Sequence, residues 1–288
     1  MSATALDIAS TPGTDMMSKR NFSRLASYIY RYSGIKMPES KKTMLEGRLR
    51  RRLRAVGVAT LDQYCDYLFA EDQLASEGPH LINAVTTNKT DFYREPAHFD
   101  FLVETALPQL VENGVRTVRA WSAACSTGPE PYTIAMVLDD YAARHGEPGF
   151  GILATDLDTE VLKAARTGIY SVDMIDPVPE PMRQRYVMPS RDRTRQEVRM
   201  VPQLRSAIGF AQLNLMDDRY PVGAPMHLIF CRNVLIYFDK ETQRKVVSQL
   251  VDCLEPGGFL FLGHSESITG FSLPLRQVAN TVFQRGPA

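Results

Sequence analysis

The chain opens with a helical pattern of apolar residues. Phe22, Leu25, Ile29 and Tyr32 recur at three- and four-residue spacing, and Gly34 follows as a stop signal. Ser40 opens a second predicted helix, with an apolar stripe of Leu45, Leu49, Leu53 and Val56. Residues 62–69 suggest a third helix and 81–85 a fourth, with no strand-type alternation between them. The pattern predicts a helical domain over residues 20–87, preceded by a small, polar, disordered tail at 1–19. Residues 88–116 read as a linker and a connecting helix near 101–111.

From Thr117 to the end at 288, strands alternate with helices. Strands are expected at 117–123, 151–155, 208–213, 227–231 and 259–263, with helices near 131–143, 159–166 and 240–254 between them. A last strand near 280–284 would pair antiparallel with 259–263. Such alternation means a mostly parallel sheet covered on both faces, an α/β domain of Rossmann-like type. Residues 171–206 break the rhythm with five prolines and a charged run at 191–195. That stretch reads as an inserted β-subdomain carrying a small hairpin or sheet, because structureless loops of this length are uncommon.

Composition narrows the class. The chain has 33 basic and 33 acidic residues, so no global field draws it to nucleic acid. No apolar run approaches the ~20 residues of a membrane span, and the N-terminus lacks a signal-peptide pattern. Cys65, Cys125, Cys231 and Cys253 are far apart with no CxxC pair, so neither a metal nor a disulfide is expected. A reduced cytoplasm is the natural compartment.

The candidate chemistry lies in Val118-Arg-Ala-Trp-Ser-Ala-Ala-Cys-Ser-Thr-Gly-Pro-Glu-Pro-Tyr132, a buried strand, a small-residue loop and a helix start. The next strand ends on Asp156. Strand, tight loop, helix and terminal carboxylate describe a pocket for an adenosine-containing cofactor, with the acid accepting from ribose hydroxyls. Dinucleotide loops need glycines where a pyrophosphate crowds the backbone, and those glycines are missing here. Glu130 at the helix start would repel a phosphate and suits a cationic, phosphate-free ligand, S-adenosylmethionine (SAM). Its alternative role is a first-turn acid facing the helix dipole. Asp158 and Thr159 are better placed than Asp156 to cap the next helix. Two later strand ends, Asn214-Leu215 and Arg232-Asn233, would fall at the same sheet edge, where open parallel sheets bind ligands.

Four blocks carry a specific resemblance: Thr86-Thr-Asn-Lys-Thr-Asp-Phe-Tyr-Arg-Glu95, Trp121 to Tyr132, Ala154-Thr-Asp-Leu-Asp158 and Phe230-Cys-Arg-Asn-Val-Leu-Ile-Tyr-Phe238. With Gly263-His-Ser-Glu266 they resemble the chemotaxis receptor methyltransferases, the CheR family, from about residue 20 to the end. The resemblance implies transfer of a methyl group from SAM to glutamate side chains on the cytoplasmic helices of chemoreceptors. The products would be glutamyl methyl esters and S-adenosylhomocysteine (SAH). It also implies cofactor contacts from Asn88, Thr90, Arg94, Glu130, Asp156, Asn214, Leu215, Arg232 and Asn233, with Arg94 and Tyr237 bordering the transfer site. Tyr237 also has the pattern of a core tyrosine. Pro129 departs from relatives that carry a second acid before Glu130.

Residues 41–54 hold seven basic side chains against one acid, Glu46. With the leucine stripe inward, Arg50, Arg51 and Arg54 face away, and Arg48 joins them as a candidate partner contact. Solvated faces usually mix signs, so an acidic partner is expected. The resemblance assigns receptor recognition to this helical domain. It also assigns the β-subdomain, in some members, to a peptide at the receptor's C-terminal tail. Nothing in the pattern demands more than a monomer. Rival readings are a nitrogen methyltransferase acting on RNA or protein, disfavoured by Arg-Asn-Val-Leu-Ile-Tyr where Asn/Asp-Pro-Pro-Tyr would stand, and a non-catalytic cofactor-binding adaptor.

Overall fold

The structure, a computed structural model, describes residues 15–70, 73–192 and 194–287. The chain divides into two compact units. One runs to Arg31 and resumes over Lys36–Val85; the other joins Tyr32–Ile35 to everything from Thr86 onward.

The first unit is helical: α1 (Lys19–Ser33, its end falling in the second unit), α2 (Lys42–Val56), α3 (Leu61–Leu68) and α4 (Gln73–Val85). The predicted stripes are its core, with Leu25, Ile29, Leu45 and Leu49 fully buried. Thr60 closes a capping box with Gln63 at the start of α3. Arg52 forks onto Glu77 at 2.8 and 2.6 Å, and the Tyr64 hydroxyl donates to the same carboxylate at 2.8 Å. One residue of the basic run therefore serves the interior.

Three expectations change here. Ser40 does not cap α2, because it sits inside a 3₁₀ turn, Glu39–Lys41, that precedes the helix. The fourth helix starts eight residues before Leu81 and carries Pro79 in its interior. The expected tail at 1–19 lies outside the described residues for positions 1–14, and its last part is held in place. Met17 is buried and donates its N–H to Glu46 Oε1 at 2.9 Å, while Asp15 accepts from Leu61 N at 2.9 Å.

The second unit begins with a connecting helix, α5 (Ala97–Phe101), a π-helical turn at Leu102–Ala106, and α6 (Leu107–Glu112). Then come β1 (Thr117–Ala123), α7 (Pro129–His145), β2 (Gly149–Asp156), α8 (Thr159–Thr167), β3 (Ile169–Ser171), α9 (Glu180–Tyr186), β4 (Val187–Pro189) and β5 (Glu197–Met200). They are followed by α10 (Pro202–Ser206), β6 (Ile208–Gln212), β7 (Met226–Cys231), α11 (Lys240–Asp252), β8 (Leu254–Leu262), β9 (Leu275–Ala279) and β10 (Val282–Arg285).

Seven strands form one sheet in the order β6-β2-β1-β7-β8-β10-β9. The first five in that order are parallel, and β10 runs antiparallel to both of its neighbours. The fold is thus a Rossmann-like α/β sheet with a helical N-terminal domain. The order reverses between β1 and β7, the switch point at which open α/β sheets bind ligands beyond the strand ends. Central strands read as continuous apolar runs because both faces are covered; every residue of β7 is buried. Strand β9 was not foreseen. Its residues alternate poorly, and only pairing with β10 defines it. The inserted sheet is three-stranded and antiparallel, β3-β5-β4, and starts at Ile169 rather than 171. Gly168 ends α8 in a left-handed conformation, and the chain enters the strand immediately.

Candidate active site

The cleft at the switch point is assembled from four strand ends and the segment before α5. The β1–α7 loop is folded back by paired donors, the N–H groups of Ala124 and Cys125 both bonding Thr155 O at 2.8 Å. Gly128 turns the loop into α7 at φ +102°. A Cβ there would lie 2.7 Å from the Tyr170 hydroxyl and 3.0 Å from Ala165, so this glycine serves close packing. Ser126 then points its N–H at Asp156 Oδ2, 2.8 Å away, and its hydroxyl at Asn88 O, also 2.8 Å away.

Asp156 ends β2 with its carboxylate buried, and Oδ1 accepts from Asp158 N at 2.9 Å. Burial raises its pKa to about 6 against the pull of those backbone donors. Each oxygen keeps a lone pair for a further donor. Asp158, not Asp156, caps α8, accepting from Glu160 N at 2.8 Å and Val161 N at 3.3 Å. Its other oxygen takes the Asn88 amide at 2.8 Å and the Thr86 hydroxyl at 3.0 Å, which fixes the first block over the β2 end.

Glu130, in the first turn of α7, accepts from the Ser122 hydroxyl at 2.7 Å and from Arg232 Nη1 at 3.2 Å. Burial raises its pKa, opposed by Arg232 and Ser122. The Arg232 side chain, only 2% exposed, is held between two carboxylates, because Nη2 also meets Glu95 Oε2 at 2.9 Å and bonds Arg94 O. Its buried Nε has no hydrogen-bond partner among the described residues. Glu95 further accepts from His264 N at 3.2 Å and the Asn233 amide at 3.3 Å. Burial works to raise its pKa, but Arg232, His264 N and Asn233 outweigh it and hold the carboxyl near 2. Glu266 gathers three backbone donors, Gly263 N, Leu235 N and Asn233 N, at 2.6, 2.7 and 3.0 Å. It fixes the turn after β7 that presents Asn233 and Tyr237.

The cleft encloses about 960 Å³ of empty space, part of it open solvent. Asn88, Thr90, Arg94, Glu130 and Asp156 line one part of it, and Asn214, Leu215, Arg232, Asn233 and Tyr237 also reach its wall. The structure thus brings every residue expected at the cofactor and transfer site into one cavity. The Asn214 side chain is engaged on both sides, donating to Tyr32 O at 2.6 Å and accepting from Met216 N at 3.0 Å. This shapes the wall, to which Leu215 adds an apolar side chain. Glu95 and Glu266 were missed as functional residues. Both lie in blocks quoted from the sequence, but neither closes a strand.

Three acids line the cleft, Asp91, Glu130 and Asp156; with no glycine-rich phosphate loop and a buried arginine neutralised on both sides, it suits an adenosine bearing a cationic amino-acid tail better than a pyrophosphate. Comparison with known proteins agrees. Family models described as "CheR methyltransferase, SAM binding domain" and "CheR methyltransferase, all-alpha domain" match residues 88–283 and 20–86. The chain belongs to the CheR methyltransferase family. It is 37% identical over 266 residues to chemotaxis protein methyltransferase 2 of Pseudomonas aeruginosa, covering 92% of this chain and 93% of that one. It is 40% identical over 268 residues to the chemotaxis protein methyltransferase of Salmonella typhimurium, covering 93% and 90%. The Escherichia coli chemotaxis protein methyltransferase is 40% identical over 254 residues, covering 88% and 86%. SAM is the cofactor of this CheR enzyme.

Two further features of the CheR chain bear on its chemistry. Cys125 and Cys231 are buried, and burial pushes both thiols far above their ordinary range, so neither supplies a thiolate. Non-glycine residues with left-handed backbone gather around the cleft: Tyr93, Glu95, Ala124, Ser126 and Asn233, with φ between 51° and 79°. Such strain collects at functional sites, where surrounding contacts over-determine the backbone.

The basic run on α2 separates into roles. Arg52 is tied to Glu77, and Arg48 bonds Val85 O, so Arg48 serves the fold of the unit. Arg50, Arg51 and Arg54 are exposed. Among the described residues, no helix is long and apolar enough to cross a membrane.

Proposed function

We propose that this CheR methyltransferase esterifies glutamate side chains on the cytoplasmic helices of chemoreceptors, working as a monomer in the cytoplasm. One observation carries the choice of acceptor: among the described residues no histidine or cysteine lines the cleft, and its buried acids, Glu130 and Asp156, are already engaged. An amine or hydroxyl acceptor would need a base, whereas a glutamate is already ionised at neutral pH.

When bound, SAM would supply an electrophilic methyl group on a sulfonium, with SAH as the leaving group. Asp156 accepts from the ribose hydroxyls, Glu130 attracts the cationic amino group, and Leu215 flanks the adenine. Arg94, anchored through Nη1 to Lys89 O at 3.2 Å, orients the incoming carboxylate. Tyr237 borders the reacting centre. Catalysis rests on alignment and on drying the carboxylate rather than on proton transfer.

The exposed Arg50, Arg51 and Arg54 receive the acidic receptor helix. In the inserted sheet β3 and β4 are outer strands, each with one free edge to which a receptor tail peptide adds as a further strand. Incubation with labelled SAM and receptor membranes tests the main reading. Base-labile label on receptor glutamates is expected, and alkali-stable label refutes the ester. Reversing Arg50 and Arg51 to Glu should abolish receptor methylation while SAH affinity survives.

A further inference from the structure

The helical unit carries a second basic strip, on α1. Between Lys19 and Ser33 this helix has four basic residues and no acid. Arg20, Arg24 and Arg31, with the Ser23 and Ser27 hydroxyls, line a groove whose apolar floor is Phe69 at the end of α3. The groove encloses about 830 Å³ of empty space, including open solvent. Phe69 is fixed from both sides. The Arg24 guanidinium lies 4.3 Å from its ring centroid, and the Tyr28 ring meets it edge-on at 6.2 Å. Arg24 is partly satisfied by Asn21 at 3.2 Å and by a long, exposed pair with Asp66 at 3.9 Å. Arg20 and Arg31 are exposed and have no ion-pair partner among the described residues.

Spacing decides what such a groove binds. Arg20, Arg24, Ser27 and Arg31 follow one another at intervals of four, three and four, which places them on one face. At a rise of ~1.5 Å per residue, Arg20 and Arg31 stand roughly 16 Å apart along the axis. All three guanidiniums cannot converge on one phosphate or carboxylate. They match acidic side chains on successive turns of a second helix lying along α1, in the shallow crossing of coiled coils. Phe69 would then meet an aliphatic residue of that helix.

We infer that the α1 groove is a second docking strip, which grips a further acidic helix of the chemoreceptor bundle beside the one received by α2. The inference rests on the receptor reading above and adds a second footprint to it. Its consequence is that the enzyme recognises a bundle, not an isolated helix.

The test compares full-length wild type with R20E/R31E and R20Q/R31Q, using labelled SAM and receptor membranes at low salt. The KM for receptor should rise about tenfold in the reversal and less in the neutral variant, and the gap should shrink as salt is added. Both kcat and SAH affinity should hold. An active wild type with unchanged KM in both variants overturns the α1 strip alone. Loss of SAH affinity in both variants overturns it too, by assigning the arginines to the fold. A wild type that leaves receptors unmethylated overturns the receptor reading and this inference with it. RNA that blocks methylation only while Arg20 and Arg31 are present would assign the groove to nucleic acid instead.

Discussion

Replacing Glu95 with glutamine removes one of the two negative charges that hold Arg232 between β7 and α7. The arginine is 2% exposed and cannot turn to water, so it must lean on Glu130 alone. The native carboxyl sits near 2 against an ordinary value of 4.5, a shift that corresponds to roughly 3 kcal/mol of coupling to the fold. Because the Glu95 side chain is 12% exposed, solvent screening lowers this to about 2 kcal/mol. The glutamine amide also places a donor where His264 N, Arg232 or Asn233 presents one. The sign follows from a depressed pKa. Glu95 stabilises the fold fully above about 4.5, and this contribution is lost as pH falls through about 2. Urea unfolding of both proteins at pH 7 should therefore differ by about 2 kcal/mol, and at pH 3.5 the gap should narrow by roughly a third to a half. Calorimetric titration should show SAH binding about tenfold weaker, since Glu130 would then be committed to Arg232. A difference below about 0.5 kcal/mol at pH 7, or one that persists unchanged in acid, refutes the clamp.

Arg94→Ala should lower kcat/KM by about a hundredfold or more, because carboxylate alignment is lost; near-normal turnover removes Arg94 from the transfer site. Asp156→Asn should weaken SAH binding about ten- to a hundredfold at pH 7.5. Wild-type affinity should fall as pH drops through about 6, while that of the variant stays flat. The raised folded pKa of Asp156 has the opposite sign for stability: its contribution is full below 3.8 and lost as pH rises through about 6. Gly263→Ala places a Cβ 2.5 Å from the Asn233 amide nitrogen and 2.8 Å from its backbone N, so it should cost about 1–3 kcal/mol in urea and weaken SAH binding. Gly47→Ala, with nothing within 4 Å on the exposed face of α2, should instead stabilise the protein by up to about 1 kcal/mol.

The sheet and the residues that line its cleft could be read in advance because their signals are local. Parallel strands buried on both faces give continuous apolar runs, and a polar residue closing each run marks the ligand edge. Asp156, Asn214 and Asn233 were found in this way. Glu95 and Glu266 could not be, since their roles come from carboxylates reaching across to loops 138 and 33 residues away. Arg48 shows the opposite error. It was grouped with the exposed arginines as a partner contact, but it is half-buried and its side chain bonds Val85 O at the end of α4. Asn214 stands at the expected strand end, yet its amide is spent on Tyr32 and Met216, contacts that no strand-end pattern encodes. Strand β9 and the early start of α4 were hidden for a related reason. Pairing with β10 defines the first, and interior contacts of Glu77 hold the second through Pro79.

The left-handed residues around the cleft set a pattern of evolutionary tolerance separate from charge. At Ala124, Ser126 and Asn233 the backbone itself is the constrained quantity. Glycine, asparagine and aspartate reach that region of backbone space at little cost, whereas valine and isoleucine enter it only under strain. In a saturation library, Ala124 should then accept glycine more readily than valine, although both are uncharged and neither contacts a ligand through a polar atom. Drift in this pocket is channelled by dihedral angle before it is filtered by chemistry.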